Sequence, residues 1–278
     1  MKKFIKILMA SVLAVATLFC FTACKDSESI VDVTPNQITV GYTVYSPMNY
    51  TDENGVFCGF DTELALRVFG ALGYDVKFRE IDWANKYVEL NNGTVDCVWN
   101  GFTRNSTDKN DAGDVVSREE LCDFSIDYMV NGQVLISKSA KAITDLSGLN
   151  GKSLAYETNS AADSLINGEE SDFAGLTINK ANLPYQINAA EQVMNGSKDY
   201  AVIDVILAKD LIANNPAYSD VVINDIDLGV EYYAIAFKTG SSLTAKVNAM
   251  LVAFAQVGYL TELATKYGVE SSLITSWN

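Results

Sequence analysis

The chain has 278 residues, a formal net charge of −15 and no histidine. This length is enough for one large or two medium-sized domains. So acidic a chain repels nucleic acid, and the lack of histidine excludes Ser-His-Asp and Cys-His catalysis together with the commonest zinc ligand. We therefore expect no nucleic-acid partner, no metal and no cofactor.

The N-terminal segment is typical of a secretory signal. Three lysines within the first six residues precede an uncharged, mostly apolar stretch from Ile7. The stretch ends in the tetrapeptide 21–24 (Phe-Thr-Ala-Cys), which resembles a bacterial lipoprotein box. The resemblance implies that residues 1–23 are a signal peptide and that Cys24 is lipidated, with palmitate, as the first residue of the mature chain.

The predicted anchor indicates where the protein acts. Residues 24–36 are largely polar and are predicted to be the lipidated N-terminus and a flexible tether. The alternative is an uncleaved membrane anchor, because the apolar run is close to the minimum length that spans a bilayer. Both alternatives hold the rest of the chain outside the cell, at the outer face of the cell membrane.

Three cysteines follow the predicted lipidation site, at Cys58, Cys97 and Cys122. Their odd number and wide spacing do not match a metal knuckle. One disulfide among them is compatible with the sequence, which does not indicate the pair.

From residue 37 onward, short β-branched runs alternate with longer amphipathic runs, which is typical of an α/β protein. Asn54-Gly55 is a strong hairpin turn, and Asp61 is placed to cap a helix. The first-half predictions are strands at 38–40, 76–78 and 95–99 and helices at 61–72 and 82–92. The second-half predictions are strands at 153–155, 176–178, 200–203 and 232–237 and helices at 161–166, 189–194, 205–213, 243–257 and 260–267.

The two halves share a pattern. An Asn-Gly pair at 92–93 and another at 195–196 each precede a hydrophobic strand, and these strands are predicted to stop at Asn100 and Asp204. Ligands of open α/β sheets bind outside the carboxyl ends of the strands. Asn100 and Asp204 are therefore expected to face each other across a cleft between two similar lobes.

Two chain crossings are predicted to join the lobes, near 128–132 and 231–233. Paired crossings form a hinge, which permits closure around a ligand. Lobe 1 is predicted to consist of residues 37–128 and 233–278, and lobe 2 of residues 129–232. Each lobe is expected to be a mostly parallel sheet flanked by helices.

Several motifs follow one another along the chain. They are Gly59-Phe60-Asp61, Asn100-Gly101-Phe102-Thr103, Arg118 six residues before Phe124-Ser125, Gly151-Lys152, and the run 199–204. Their order and spacing, from Ile38 to Tyr267, resemble the polar amino-acid-binding branch of bacterial extracellular solute-binding proteins, family 3. The resemblance implies a two-lobed, type II periplasmic-binding-protein-like fold, an amino acid ligand, the permease of an ABC importer as partner, a monomer and no enzymatic activity.

The predicted site binds the two charged ends of the amino acid separately. A carboxylate and an ammonium on one small ligand need opposite charges at fixed positions. Arg118 can form a bidentate pair with the carboxylate. Asp204 can pair with the ammonium, helped by the Thr103 hydroxyl and the Gly101 carbonyl. In the family, the residues that match these four positions have these roles.

Further donors and alternative roles belong to the same prediction. The backbone amides of Ser160 and Ala161 open a predicted helix, where the dipole favours an anion. Arg118 would otherwise be a solvated helix charge, with Arg104 as the alternative contact to the ligand. Asp204 would otherwise cap the helix that follows it.

The pocket for the ligand's side chain is predicted from the resemblance. Tyr45 and Phe60 match the positions that sandwich this side chain, although Phe60 also fits a hydrophobic staple before Asp61. Tyr42 occupies the place where relatives that bind lysine, arginine or histidine tend to carry an aspartate, which argues against a cationic ligand. Glu157 would restore that preference if it faced the cleft, so the choice between cationic and neutral ligands stays open.

Residues 104–117 form an insertion where the family usually has only a few residues. Its segment 108–113 is similar to the start of a calcium loop, but Ala112 and Val116 stand where oxygen ligands are needed. We therefore expect a surface loop and no metal.

These observations together predict a lipid-anchored extracytoplasmic receptor that captures a polar amino acid by lobe closure and presents it to an ABC importer. An extracytoplasmic enzyme on the same scaffold, such as a dehydratase, is one alternative, but no nucleophile elbow or paired carboxylates support it. A sensor ectodomain is another, and it would require a transmembrane segment after residue 267, where none is expected.

Overall fold

The structure is a computed structural model that describes residues 36–277. The predicted signal peptide, the predicted lipidation site Cys24 and the predicted tether up to residue 35 lie outside the described residues. Within the described part, strands and helices alternate along the chain, and the predicted α/β class is confirmed.

The elements are labelled in chain order. The strands are β1 (Asn36–Tyr42), β2 (Tyr50–Thr51), β3 (Phe57–Cys58), β4 (Tyr74–Glu80), β5 (Cys97–Thr103), β6 (Thr107–Lys109), β7 (Val115–Ser117), β8 (Asp123–Phe124), β9 (Met129–Asn131), β10 (Gln133–Lys138), β11 (Lys152–Glu157), β12 (Ile178–Leu183), β13 (Tyr200–Asp204), β14 (Val221–Ile223) and β15 (Glu231–Phe237). The α-helices are α1 (Phe60–Ala71), α2 (Lys86–Asn91), α3 (Arg118–Leu121), α4 (Ala161–Asn167), α5 (Gln186–Met194), α6 (Val205–Asn214), α7 (Leu243–Gln256) and α8 (Tyr259–Tyr267).

Two sheets define the two lobes. The strand order in lobe 1 is β4-β1-β5-β15-β8, and β9 also pairs with β15. The order in lobe 2 is β12-β11-β13-β10-β14. Three neighbouring strands in each sheet are parallel, whereas β15 in lobe 1 and β10 in lobe 2 run antiparallel to their partners. Both sheets are therefore mixed, with a parallel part whose carboxyl ends lie at one edge.

The central strands β5 and β13 are buried along their whole length. Strands covered on both faces usually carry continuous apolar runs, and β13 follows this rule up to its last residue. The polar Asn100 inside β5 is stabilised by hydrogen bonds instead: its Nδ2 donates to the Thr43 carbonyl (2.8 Å) and to Asn49 Oδ1 (2.7 Å). The Thr43 hydroxyl donates back to Asn100 Oδ1 at 2.6 Å.

The chain passes between the lobes along β9 and β15, which pair with each other in antiparallel fashion. Asn131 lies opposite Glu231 in this ladder. A side chain at Gly132 would bring its Cβ within 2.7 Å of the Gly229 carbonyl oxygen, so the two crossing segments approach closely only because residue 132 is glycine. The predicted crossings at 128–132 and 231–233 coincide with this ladder.

Several local features differ from the sequence expectations. β5 does not stop at Asn100 but continues to Thr103, where it still pairs with Tyr233 of β15, and Gly101 has a positive φ of 57° within the strand. Gly59, rather than Asp61, is the N-cap residue of α1. The second predicted strand of the second half begins at Ile178 instead of residue 176. The insertion, expected to be a surface loop, contains the antiparallel β6–β7 hairpin.

In the described part of the chain, Cys58, Cys97 and Cys122 are free thiols, so no disulfide joins any two of them. No single helix within residues 36–277 has the length and apolar character needed to cross a membrane; α7 and α8 meet that test only as a pair, and a bend of 83° separates them.

Candidate functional site

A cavity with an empty volume of about 330 Å³ lies between the two lobes, at the carboxyl ends of the parallel strands. The lining residues from lobe 1 are Thr43, Trp83, Asn100, Gly101, Thr103 and Arg118. Those from lobe 2 are Gln133, Glu157, Ser160, Ala161, Gln186 and Asp204. The expected meeting of Asn100 and Asp204 at one cleft is confirmed.

Arg118 provides the positive charge of the cavity. It is the first residue of α3, where a capping box from Ser117 holds the helix start, and only 1% of Arg118 is exposed. Its Nη1 donates to the Thr103 carbonyl oxygen at 2.9 Å, and its Nε lies 3.0 Å from Asp108 Oδ2. Its Nη2 has no hydrogen-bond partner among residues 36–277. This N–H group can therefore donate to an anion in the cavity.

Asp204 provides a negative charge on the opposite wall, where it ends β13. Its carboxylate is buried and accepts hydrogen bonds from the side chains of Gln133, Gln186 (2.8 Å) and Tyr233 (2.8 Å). Asp204 is the N-cap residue of α6, yet within the described residues its side chain makes no capping bond to that helix. All three side-chain partners are neutral, and burial raises the pKa of Asp204. A cation would supply the charge that these partners lack.

Two further carboxylates lie close to Asp204. Glu157 ends β11, the strand next to β13, and only 3% of it is exposed. Burial, and then the charge of Asp204, raise the pKa of Glu157 well above its usual value. Glu231 accepts hydrogen bonds from Thr103 Oγ1 (3.0 Å) and Asn131 Nδ2 (2.8 Å), and burial together with Asp204 raises its pKa to about 7. The ionised forms of these carboxylates are therefore disfavoured until a cation enters this side of the cavity.

Six of the residues predicted to contact the ligand line this cavity. They are Arg118, Asp204, Thr103, Gly101, Ser160 and Ala161. The Ser160 hydroxyl donates to the Glu157 carbonyl oxygen (2.8 Å) and accepts from the Asp163 N–H (3.2 Å), which fixes the start of α4 against the end of β11. The contacts of these residues with a ligand stay predictions.

Tyr45 and Phe60, predicted for the side-chain pocket, do not line the cavity. Tyr45 is buried beneath the cavity floor, with its hydroxyl 2.7 Å from that of Tyr233. Phe60 is fully buried and stacks on Tyr128, with ring centroids 6.2 Å apart. Both rings take part in the core of lobe 1, which the motif match alone does not distinguish from a pocket wall.

Tyr42 also lies outside the cavity lining. Its ring packs against those of Phe57 and Phe78, at centroid distances of 4.5 and 6.2 Å. Successive residues of an extended chain point to opposite sides, so the next residue, Thr43, reaches the cavity instead. The lack of an acidic residue at position 42 therefore says nothing about the charge of the pocket.

Arg104, the alternative to Arg118, lies outside the cavity lining. Its Nε and Nη2 donate to the two carboxylate oxygens of Asp127 at 2.6 and 2.8 Å, and its Nη1 bonds to Glu119. The guanidinium of Arg104 is therefore already paired with two carboxylates. Of the two arginines, only Arg118 is among the residues that line the cavity.

Sequence reasoning did not assign Gln186 to the site, and it weighed Trp83 as a lining residue but favoured a core role for it. Trp83 follows the carboxyl end of β4, and Gln186 follows the carboxyl end of β12. Both are therefore at the sheet edge where ligands of α/β proteins bind. A stricter use of that rule, applied to the loop after every strand, would have included them.

Gly101 sets the shape of the cavity floor. Its φ of 57° is in the left-handed region, and a Cβ at this position would lie 2.7 Å from Tyr45 Cε1 and 2.9 Å from Tyr233 Cε2. Its N–H donates to Asp61 Oδ2 at 2.8 Å, which explains why Asp61 is buried inside the first turn of α1 instead of capping it. Only glycine combines this backbone conformation with this close approach.

Comparison with known proteins places this chain in a family. Residues 38–270 match the model of the bacterial extracellular solute-binding proteins, family 3, and the chain belongs to this family. A solved ABC uptake transporter substrate-binding protein from Streptococcus pneumoniae with bound histidine is similar, with a TM-score of 0.71 and 29% identity, over 83% of this chain and 92% of that one. The predicted two-lobed fold is confirmed.

Similar proteins of known function include binding proteins and an enzyme. The arginine-binding extracellular protein ArtP of Bacillus subtilis (strain 168) is 25% identical over 268 residues, which cover 96% of this chain and 98% of ArtP. The cyclohexadienyl dehydratase of Pseudomonas aeruginosa is 24% identical over 173 residues, which cover 59% of this chain and 58% of the enzyme. The scaffold therefore serves amino-acid binding and, in a more partial match, catalysis.

Proposed function

We propose that this protein is an extracytoplasmic receptor that binds a free amino acid with a positively charged side chain and delivers it to the permease of an ABC importer by lobe closure. The observation that carries the proposal is the separation of charge across one cavity. Arg118 lies on the lobe 1 wall, and Glu157 and Asp204 lie on the lobe 2 wall. A zwitterion with a cationic side chain matches this arrangement, with its carboxylate toward lobe 1.

Arg118 provides a hydrogen-bond donor for the α-carboxylate of the ligand. The Nη2 of Arg118 is buried and lacks a partner among the described residues, and an unmade hydrogen bond from a charged group is unfavourable. A carboxylate supplies both the acceptor and the opposite charge. The backbone amides of Ser160 and Ala161, from the opposite lobe, are proposed as additional donors once the lobes are closed.

The α-ammonium is assigned to Asp204. The carboxylate of Asp204 already accepts three hydrogen bonds from neutral groups, so it is held in one orientation while its charge stays uncompensated. An ammonium group donates to such a carboxylate without moving it. The Gly101 carbonyl and Thr103 Oγ1, whose proton goes to Glu231, are proposed as further acceptors.

The side chain of the ligand is assigned to Glu157. Ionisable side chains that line or border the cavity are Lys86, Arg118, Asp108, Glu157, Asp204 and Glu231, and their formal charges leave an excess of negative charge. Among residues 36–277 no lysine or arginine nitrogen lies within 4.0 Å of the Glu157 carboxylate. A ligand with a neutral side chain leaves this excess unchanged, whereas a guanidinium or ammonium side chain reduces it.

The relatives support the same ligand class. ArtP is named for arginine, and the similar protein from Streptococcus pneumoniae was solved with histidine. Both ligands are amino acids whose side chains can carry positive charge.

Lipid anchoring through Cys24, a monomeric state and the absence of catalysis complete the proposal. A lipid anchor would keep the receptor beside its permease at the outer face of the membrane, and two acyl chains hold a protein there stably. Family membership supports an extracellular location, because the family consists of extracellular solute-binding proteins.

A dehydratase is the second candidate function. The similarity to the Pseudomonas aeruginosa enzyme and the buried Glu157, whose pKa is raised, favour it, since a carboxylic acid held neutral can donate a proton. The receptor is preferred because the binding relative ArtP matches nearly the whole chain, whereas the enzyme matches little more than half of it. Turnover of a bound cyclohexadienyl compound, followed by NMR, would reverse this preference.

The proposed function is tested by the thermal stability of the mature protein, unfolded and refolded to remove carried-over ligand, in the presence of each of the twenty amino acids and cystine. We expect arginine or lysine to give the largest rise in Tm. Arg104→Ala is the matched control for Arg118→Ala, because Arg104 lies outside the cavity lining. A protein that no amino acid stabilises, or an Arg118→Ala variant that is stabilised as much as the Arg104→Ala variant, would contradict the proposal.

A further inference from the structure

The insertion 104–117 contains a well-defined hairpin. β6 and β7 pair in antiparallel register, with Asp108 opposite Val116. The turn between them is closed by Asn110, whose Oδ1 accepts the backbone N–H groups of Ala112 (3.0 Å) and Asp114 (2.9 Å). Among residues 36–277 no group of three or more Cys, Asp or Glu side chains is arranged to hold a metal ion.

Asp108 attaches the hairpin to lobe 1. Its side chain is only 9% exposed, and its Oδ2 lies 3.0 Å from Arg118 Nε and 3.2 Å from Lys86 Nζ. The Tyr87 hydroxyl donates to the same oxygen at 2.8 Å. Two buried cations thus share one carboxylate, and both depend on it for their position.

The same region makes direct bonds to lobe 2. The Ser164 hydroxyl, on α4, donates to the carbonyl oxygen of Thr107 in β6 at 2.7 Å. Lys86 Nζ donates to the carbonyl oxygen of Asn159 at 2.8 Å. Within the described residues Asn159 is the one non-glycine residue with a positive φ (53°), a conformation that asparagine tolerates better than most residues.

The two cross-lobe hydrogen bonds, from Ser164 and from Lys86, lie beside a second cavity. This cavity, with an empty volume of about 770 Å³, separates the rest of the hairpin from α4. It is lined by Val115 and Thr107 on one side and by Ser164 and Asn167 on the other. The hairpin and α4 are therefore held together here by a few polar contacts rather than by extensive packing, and such contacts can break when the lobes open.

We propose that the hairpin is a latch that couples ligand binding to lobe closure, with Asp108 as its positioning residue. Asp108 holds Arg118 toward the ligand and Lys86 toward Asn159, while Thr107 receives Ser164. Binding of a carboxylate by Arg118 and the cross-lobe bond of Lys86 thus depend on one side chain. The latch stands whichever amino acid the receptor binds.

The test compares three variants of the full mature protein by stopped-flow tryptophan fluorescence, with L-arginine as the probe. Ser164→Ala removes one cross-lobe bond and should raise koff about threefold while leaving kon unchanged. Asp108→Asn leaves two buried cations unpaired and should weaken binding at least about tenfold, through koff above all. Ser219→Ala, an exposed serine of lobe 2 outside both cavities, is the control and should match the wild type.

A merely structural role of Asp108 would lower stability without changing the ratio of koff to kon. Asp108→Glu, which keeps the charge, should recover part of the slow koff, and circular dichroism checks that each variant is folded. If both Ser164→Ala and Asp108→Asn keep the koff of Ser219→Ala, the latch is overturned. Failure of L-arginine to bind the wild type would contradict the proposed ligand class alone. The latch is then judged in the same experiment with the amino acid that stabilises the wild type most in the thermal screen, and equal koff values in Ser164→Ala, Asp108→Asn and Ser219→Ala would overturn it.

Discussion

The two walls of the interlobe cavity carry opposite charges that arise in different ways. The acidic wall follows from topology, because Glu157 and Asp204 end the neighbouring parallel strands β11 and β13. The basic wall depends on an insertion, because Arg118 directly follows the β6–β7 hairpin and pairs with Asp108 from it. On the acidic wall, the two carboxylates therefore repel each other until a cation binds between them. On the basic wall, the charge of Arg118 is already paired with that of Asp108 in the ligand-free protein.

The largest effect is expected from Arg118→Ala, which removes the basic wall. Loss of one partner of a buried, hydrogen-bonded charge pair costs about 2–5 kcal/mol, or about 30- to 5,000-fold in Kd. Isothermal titration calorimetry with L-arginine measures this loss. Arg104→Ala, whose guanidinium is bound to Asp127, should bind within about twofold of the wild type. Equal losses in the two variants would remove the contrast between the walls.

Gly101→Ala tests the floor that joins the walls. A Cβ at this position meets the rings of Tyr45 and Tyr233 at 2.7 and 2.9 Å, and the backbone is left-handed. We expect the free energy of unfolding to fall by about 2–4 kcal/mol. Urea denaturation measures it, and Gly196→Ala, where a Cβ meets no atom within 4 Å although φ is also positive, isolates the backbone part of the effect. If the free energy of unfolding falls no more than in Gly196→Ala, the rings of Tyr45 and Tyr233 can move to make room for the added Cβ.

Glu157→Gln should act on the acidic wall alone. Neutralising Glu157 removes its repulsion with Asp204, so the ligand-free protein should become slightly more stable. The affinity for L-arginine should fall by about 10- to 100-fold, because a charge-assisted hydrogen bond contributes about 1.5–3 kcal/mol. The affinity for a neutral amino acid should change little. If calorimetry shows an equal loss of affinity for L-arginine and for the neutral amino acid, Glu157 contributes to the shape of the site but does not select the ligand by its charge.

The smallest effect expected is a dependence of stability on pH. The pKa of Glu231 is raised to about 7 by burial and by Asp204, and burial raises that of Asp61 to about 7. The folded protein therefore binds protons more tightly than the unfolded chain, whose carboxylates titrate near about pH 4. The free energy of unfolding should rise as pH falls from about 8 to about 5, by at most about 1.4 kcal/mol per pH unit and group.

The affinity for L-arginine should change in the opposite direction over the same range, because protonated carboxylates do not attract a cation. Asp61→Asn should remove part of the stability change and leave the pH dependence of binding in place, since Asp61 bonds to Gly101 beneath the cavity. Stability that rises with pH across this window would show that these carboxylates are ionised in the ligand-free protein.

Much of the fold could be predicted from sequence because local signals and topology agree. The strand that ends at Asp204 is short and mostly apolar, and the rule that ligands bind at strand ends brought Asp204 and Asn100 to one cleft. Arg118 was identified by its position before the Phe124-Ser125 motif.

The errors have physical causes. The β6 strand reads Thr-Asp-Lys and has no β-branched alternation, so nothing local predicted the hairpin that positions Arg118. Tyr42 was chosen by its match to a family position, and such a match does not show which of two successive residues faces the cleft; Thr43 is the one that lines the cavity. The role of Asp61 depends on a residue forty positions later in the chain, Gly101, and no helix-capping rule contains such a contact.

The charge of the ligand's side chain is tested most directly by calorimetry of the refolded wild type with L-arginine and L-citrulline. The two amino acids have nearly the same shape, but the guanidinium of arginine is charged and the urea group of citrulline is neutral. Arginine should bind at least about tenfold more tightly, because Glu157 forms a charge-assisted pair only with the guanidinium. Equal affinities, or tighter binding of citrulline, would contradict an acidic wall that selects a cationic amino acid.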